Sequence, residues 1–166
     1  MPSTRTKVLL AAAALVSGLL AGGVLDRVIV GGPAWNALGA EAWVEYSRRA
    51  DLGTGLIVYP IEGIGSTLLI FAAALSNYFD RHVGRGAAIP LYCGLGLSVA
   101  GLLLTAKAAP IMLSLGAPQN AAAAQRAFDE FFVWGLYLRG AADTLAFVGA
   151  LSSGARAAAK GLDHDH

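Results

Sequence analysis

The sequence predicts an all-α integral membrane protein, an antiparallel bundle of four membrane-spanning helices with an extra amphipathic helix at the membrane surface. Two observations predict this class. Hydrophobic residues make up 56% of the 166 residues and charged residues only 14%, whereas soluble domains carry about 25% charged residues. The chain also contains four apolar runs, each long enough to cross a hydrocarbon core of about 30 Å as a helix. The lipid bilayer is therefore the expected partner, and a net charge of +1 does not indicate a nucleic-acid partner.

The four predicted spans form a single transmembrane domain and cover residues 8–32, 53–79, 86–115 and 128–153. The second span contains no Lys, Arg, Asp or His and a single acid, Glu62. The first span begins like a secretory signal peptide, with Arg5 and Lys7 ahead of an apolar run. We interpret it as a retained span, because the run is longer than an ordinary signal and no clean small-residue cleavage site follows.

Residues 34–50 are predicted to form the amphipathic helix between the first two spans. Trp35, Leu38 and Tyr46 recur at helical spacing, with Trp43 beside them, and charged residues fill the other side. Such a stripe is typical of a helix at a membrane surface, where Trp and Tyr are enriched. Two interpretations remain open: a plain interfacial anchor, or a lid over a site in the bundle.

The distribution of basic residues predicts the orientation of the chain. Short cytoplasmic segments of membrane proteins carry an excess of Lys and Arg. Six basic residues flank one side of the predicted bundle and three the other: Arg5, Lys7, Arg81, Arg85, Arg156 and Lys160, against Arg48, Arg49 and Arg126. We therefore expect both termini in the cytoplasm, in the plasma membrane of a bacterium.

All four spans carry ionisable residues toward the same, outer half of the bilayer. A charge at such depth costs at least about 2.5–3.5 kcal/mol, so mutual pairing is expected. Either this layer stabilises the bundle while Arg27 and Lys107 reach outward to water, or it lines a polar pocket under the 34–50 helix. Its members are three acids and three bases: Asp26, Glu62, Asp143, Arg27, Lys107 and Arg139.

If the layer lines a pocket, Glu62 should face the bundle interior near Lys107, Arg139 or Arg27. A carboxylate removed from water can act as a general base or acid near neutral pH. Lys107 or Arg139 would then stabilise an enolate or phenolate. These three are the candidate catalytic residues; the candidate substrate-binding residues are Asp26, Arg27, Tyr59, Trp134 and Asp143, and the candidate lid residues are Trp35, Trp43 and Tyr46.

The sequence suggests neither a metal nor a bound cofactor. No histidine lies in an apolar run, and Cys93 is the single cysteine. Histidine ligation inside the bilayer and a CxxC redox pair are therefore not expected. No phosphate loop or nucleotide-binding fingerprint is present.

Three stretches resemble the anthrone-oxygenase-like family of small four-span membrane proteins. They are a glycine-rich first span ending in a Pro-containing segment, GLLAGGVLDRVIVGGPAW; a Trp–Tyr helix leading into a Pro-containing span, AWVEYSRRADLGTGLIVYP; and FFVWGLYLRGAADTLAF, with Trp134 followed by Arg139. The resemblance implies a membrane four-helix bundle. It also implies cofactor-independent oxidation of an anthrone-like polyketide or another aromatic substrate.

Three functions remain open at this point. The first is a membrane protein with a polar pocket for a small hydrophobic or aromatic ligand, acting as a cofactor-free oxygenase. The second is a non-enzymatic accessory subunit or a lipid- or small-molecule-binding protein. The third is a small proton-coupled carrier using Glu62 and Asp143, which would need a homo-oligomer because four spans are few for a monomeric carrier.

Overall fold

The computed structural model describes residues 3–80 and 85–162. Of these residues 94% are helical, and none of them forms a strand. Four helices are long and apolar enough to cross a membrane, judged by length and composition: Thr4–Leu38, Ala40–Phe79, Gly86–Ser114 and Ala121–Ala159. The predicted all-α class and the number of long apolar helices are thus confirmed.

Three of the four long helices are interrupted by wider, π-helical segments. Helix α1 (Thr4–Asp26) continues through Arg27–Gly31 into α2 (Gly32–Leu38). Helix α3 (Ala40–Arg49) continues through Ala50–Thr54 into α4 (Gly55–Phe79), with a bend at Gly53. Helix α5 (Arg85–Ser114) follows, and α6 (Ala121–Phe131) continues through Phe132–Leu138 into α7 (Arg139–Leu162).

Helices α1, α4, α5 and α7 pack side by side in chain order, and α7 returns to contact α1. At one end, the Ser3 N–H donates to the Asp80 carboxylate at 2.6 Å, and Arg156 donates to the Gly86 carbonyl at 2.7 Å. Neighbouring helices are therefore antiparallel, and both ends of the described chain lie at the same end of the molecule. Arg81, in the predicted basic loop, lies outside the described residues.

The interior is divided into two hydrophobic cores. The core near the termini is rich in alanine, and small side chains let helices approach closely; it includes Leu10, Ala13, Ile70, Ala73, Leu91, Ala146 and Ala150. The core at the other end is aromatic and brings α2 and α3 against α6: Trp35, Trp43, Phe128, Phe131 and Phe132. We call this second core the aromatic cap.

The helix predicted over residues 34–50 is in fact two helices. They separate at Gly39, whose φ of 91° is a backbone conformation that glycine adopts readily and other residues do not. Leu38, assigned to the apolar stripe, is 70% exposed. Beyond it, α3 buries Trp43, Val44 and Ser47.

The helices also extend beyond the predicted spans. The third and fourth spans are predicted to end at 115 and begin at 128, but the connection between the helices is only 115–120. Helix α6 begins early because the Asn120 side chain accepts the Ala123 N–H at 2.8 Å, and a run of alanines follows. An Asn N-cap ahead of strong helix formers favours a helix there.

Candidate functional site

A cavity of about 510 Å³ lies between α4 and α5, beside the first turn of α7 and the last residues of α6. Its wall is mostly apolar, but it includes side chains that carry charges or hydroxyl groups. These polar lining residues are Arg27, Asp51, Tyr59, Thr67, Ser98, Thr105, Arg139 and Asp143. The cavity is therefore the candidate site, and its polar groups fall into three clusters.

Arg27, Asp51 and Tyr59 form the first cluster, a closed ring of hydrogen bonds. Arg27 donates from Nη2 to Asp51 at 2.6 Å and also to the Tyr59 hydroxyl. The Tyr59 hydroxyl donates to the same Asp51 oxygen at 3.1 Å. The guanidinium carbon lies 4.5 Å from the centre of the Tyr59 ring, within range of a cation–π interaction. Asp51 is only 4% exposed, so Arg27 neutralises a buried carboxylate.

The local backbone explains how these three side chains meet. Arg27 begins the first π-helical segment, and Asp51 lies within the second. Tyr59 folds back over Gly55, where a Cβ atom would come within 2.5 Å of the Tyr59 ring. Wider helical turns are frequent at functional sites because they redirect side chains, and here they direct two opposite charges toward each other.

Arg139 and Asp143 form the second cluster, in the first turn of α7. The Arg139 Nε lies 3.3 Å from an Asp143 oxygen, as the i,i+4 spacing allows. The other Asp143 oxygen lies against the backbone of Gly101 on α5, 2.5 Å from where a Cβ would be. Asp143 thus occupies space that exists only because residue 101 has no side chain.

Hydroxyl groups of α4 and α5 form the third cluster. Thr67 and Ser98, both buried, lie 2.6 Å apart across the helix interface. Thr67 also donates to the Gly63 carbonyl at 2.9 Å, and Thr105 donates to the Gly101 carbonyl at the same distance. Thr67 and Thr105 thus donate to their own helices, and because Thr67 donates to Gly63, the Ser98 hydroxyl is the donor across the helix interface.

Two of the candidate catalytic residues do not line the cavity. On α4 the lining residues are those at positions 55, 56, 59, 60, 63, 64 and 67, and Glu62 is not among them. Glu62 makes no hydrogen bond or ion pair with any residue that the structure describes. The expectation that it pairs with a cation in the bundle was wrong, and Asp51 has that position instead.

Lys107 is exposed, and its Nζ lies 6.0 Å from the centre of the Trp134 ring. Trp134 packs against the aromatic cap rather than lining the cavity. Asp26 is likewise exposed and outside the cavity. Of the candidate residues, those that line the cavity are Arg139, Arg27, Tyr59 and Asp143; the chemical roles assigned to all the candidates stay predictions.

The candidate lid residues lie above the cavity but do not contact it directly. Trp43 is fully buried between Phe128 and Phe131, with both ring centroids at 5.4 Å. Trp35 packs against Tyr46 and Phe132. Phe131 does line the cavity, so Trp43 packs against a residue of the cavity wall.

Asp51 is the site residue that the sequence analysis missed, because the sequence places it between a surface helix and a span. One signal could have revealed it. Asp51, Gly55, Tyr59, Gly63 and Thr67 recur every four residues, which gives one helix face of polar and small residues. The same type of face on α5 includes Ser98, Gly101 and Thr105.

The described residues 3–80 and 85–162 contain no group of three His, Cys, Asp or Glu side chains placed to hold a metal ion. The absence of a bound cofactor stays a prediction from the sequence. No family model, curated protein or solved structure matches the chain. The resemblance to the anthrone-oxygenase-like family is accordingly neither supported nor excluded by these comparisons.

Proposed function

We propose that the chain is an integral membrane protein whose four long helices cross the bilayer as a bundle. Large exposed hydrophobic side chains support this proposal. On α4 they run from Leu56 to Phe79 and on the first long helix from Val8 to Val30. The 23 residues from Val8 to Val30 span about 35 Å as a helix, which is enough to cross a hydrocarbon core. Beyond this band, α2, α3 and α6 enclose the aromatic cap at the end opposite the termini.

The function we propose is the binding of a small, mostly apolar molecule that carries an oxygen acceptor. The single observation behind it is the ring of Arg27, Asp51 and Tyr59 in the wall of a mostly apolar cavity of about 510 Å³. Ligand sites are typically apolar cavities of this size with a few polar groups that fix orientation. The two ion pairs of the cavity balance in charge, so the ligand need not be charged.

The guanidinium groups define the polar end of this ligand. Among the described residues, Arg27 donates through Nη2 alone and Arg139 through Nε alone. A guanidinium has five N–H donors, so both arginines retain donors for a ligand. A carbonyl, phenol or phenolate oxygen would accept them, while the rest of the molecule contacts the apolar wall.

Paired ligands test this proposal. The full chain, in phosphatidylcholine vesicles, should bind 1-naphthol more tightly than naphthalene by about 10- to 100-fold, the value of a hydrogen bond to a charged group. The double variant Arg27→Leu/Asp51→Leu removes the ion pair as a unit and should lose most of this preference, since only Arg139 still offers donors to the ligand. Glu62→Leu, outside the cavity, is the matched control and should keep it. Equal binding of both ligands by the unaltered chain would refute the proposed polar end, and no binding of either would favour an accessory subunit.

A second candidate function is cofactor-independent oxidation of an anthrone-like substrate. The observation that favours it is a carboxylate, a guanidinium and a phenol within hydrogen-bonding contact on one wall. In this mechanism Asp51 takes the proton of an acidic C–H bond, and the electron pair moves onto the substrate oxygen, where Arg27 stabilises the anion. Dioxygen is the oxidant: it forms the new C–O bond, and loss of water leaves a carbonyl, so that CH₂ and O₂ give C=O and H₂O.

Oxygen uptake with anthrone as substrate tests this candidate against a protein-free control. Asp51→Asn should abolish the protein-dependent rate, while Glu62→Gln should retain it. The opposite result would return the role of base to Glu62. The proton-coupled carrier remains a third alternative, and proton uptake by vesicles that hold the chain, without oxygen uptake, would favour it.

A further inference from the structure

The cavity has one open side, and that side is apolar. Of the described residues that line the cavity, five are exposed: Leu56, Pro60, Ile64, Ala106 and Leu113. All five lie on α4 or α5, and none carries a polar side chain. The charged lining residues on the other helices, including Arg27 and Asp143, are buried or half-buried. The cavity therefore opens at the flank between α4 and α5, and its charged residues lie deeper than that opening.

The other ends of the cavity are closed. Phe131 and Met112, both buried members of the aromatic cap, close the end away from the termini. Thr67 and Ser98 close the deep end, where their hydroxyls join the two helices at 2.6 Å. A molecule that came from water along the bundle axis would have to displace one of these closures.

The surface around the opening is continuous with the exposed apolar band. Ile57 and Ile61 flank the opening on α4, and Leu103 flanks it on α5; each is at least 66% exposed. In the membrane orientation proposed above, this flank faces hydrocarbon at its deep part and the headgroup level at its upper part. Such a border is where an amphiphile with an apolar body and a polar end resides.

We propose that the ligand reaches the cavity sideways from the bilayer, between α4 and α5, and that it belongs to the class of membrane-dissolved aromatic amphiphiles. The proposal rests on the proposed ligand-binding function and adds the source and route of the ligand. A molecule that partitions into the bilayer is concentrated there, and it meets the apolar opening without crossing the aromatic cap. Its oxygen then reaches Arg27 and Arg139 deeper in the cavity.

A rate measurement with matched variants tests the route. Ala106→Phe narrows the opening, and Ile89→Phe adds an aromatic ring at an exposed position of the same helix that lies away from the opening. With 1-naphthol and the full chain in phosphatidylcholine vesicles, stopped-flow fluorescence should show association and dissociation slowed together by Ala106→Phe. We expect roughly a fivefold effect on both rates with little change in Kd, and Ile89→Phe should keep the original rates. Equal rates in the two variants would overturn the sideways route while leaving ligand binding intact.

A second measurement needs no ligand and applies even if Ala106→Phe folds poorly. Cys93, the single cysteine, is exposed on α5 within the apolar band. The variant Cys93→Ser/Ala106→Cys carries a nitroxide spin label at position 106 alone. Oxygen is enriched in lipid and a nickel chelate is confined to water, so this label should collide more often with oxygen than with the chelate. Labelled Cys93 is the lipid-exposed reference, and Ala122→Cys, exposed on α6, is the reference at the other end. A label at position 106 that behaves like position 122 would overturn the route, whereas failure of the unaltered chain to bind 1-naphthol would refute the proposed function instead.

Discussion

Asp51 determines the electrostatics of the cavity at the scale of single residues. Its buried carboxylate accepts hydrogen bonds from both Arg27 and Tyr59. Removing one partner of such an arrangement leaves a half-buried charge without compensation, whereas removing both partners together is often nearly neutral. Glu62, although it lies in the middle of an apolar helix, makes no such contact with the described residues.

The two acids should therefore respond differently to the same substitution. Asp51→Leu should lower the free energy of unfolding by about 1.5–3 kcal/mol, the cost of losing hydrogen bonds to a charged group. Glu62→Leu should change it by no more than about 0.5 kcal/mol, and Arg27→Leu/Asp51→Leu should recover part of the loss. Unfolding in detergent, followed by circular dichroism, measures all three. If Glu62→Leu costs as much as Asp51→Leu, Glu62 holds a cation that the structure does not show.

Gly101 is the second residue with a specific packing role, because Asp143 lies directly over it. Gly101→Ala would bring a Cβ within 2.5 Å of Asp143 Oδ1, so we expect a loss of about 1–3 kcal/mol from overpacking. Gly96→Ala is the matched control on the same helix, since no atom lies within 4 Å of its added Cβ. That variant should gain up to about 1 kcal/mol from helix propensity. Melting temperatures in detergent that rise for both substitutions would contradict the packing of Asp143 on Gly101.

At the scale of elements, the sequence predicts the long helices well and their interruptions poorly. Apolar runs predict four long helices because the pattern depends on composition over many residues. The break at Gly39 and the π-helical segments depend on single residues and on tertiary packing, which periodicity does not report. For this reason the sequence predicts a layer of charged residues but does not predict the pairing of Arg27 with Asp51.

Arg48 connects two elements that the sequence leaves unconnected. Its side chain donates to the Leu115 carbonyl at 2.6 Å and to the Ala117 carbonyl at 2.7 Å, and so satisfies carbonyl groups beyond the end of α5. Arg48→Ala should increase amide hydrogen exchange over residues 115–120, and Arg48→Lys should restore little, because lysine lacks the planar fork. Arg49→Ala is the control, since its exposed pair with Glu45 contributes only about 0.3–0.5 kcal/mol. Unchanged exchange in Arg48→Ala would show that the connection holds without this contact.

At the scale of the whole molecule, the packing order of the helices agrees with the predicted up-and-down topology. Four apolar runs with short connections favour antiparallel neighbours, and the hydrogen bonds at the end near the termini agree with that arrangement. The cavity could not be predicted in the same way. It depends on which face each helix turns inward, and a register difference of one residue rotates a side chain by about 100° around the helix.

This topology, taken together with the distribution of basic residues, predicts an orientation in the membrane. The start of α1, the end of α4, the start of α5 and the end of α7 lie at one end of the molecule. The segments next to that end carry six Lys and Arg residues in the sequence, against three in the segments at the opposite end, so the positive-inside rule predicts that this end lies in the cytoplasm. Green fluorescent protein fused after His166 should fluoresce, and alkaline phosphatase inserted at Pro118 should be active, because the phosphatase needs export. A phosphatase fusion that is active after His166 and inactive at Pro118 would invert the predicted orientation.

Replacing Arg5 and Lys7 by Glu should reduce the difference in basic residues between the two sides, so that phosphatase fusions at both positions show partial activity. Replacing Arg126, on the other side, should strengthen the original orientation.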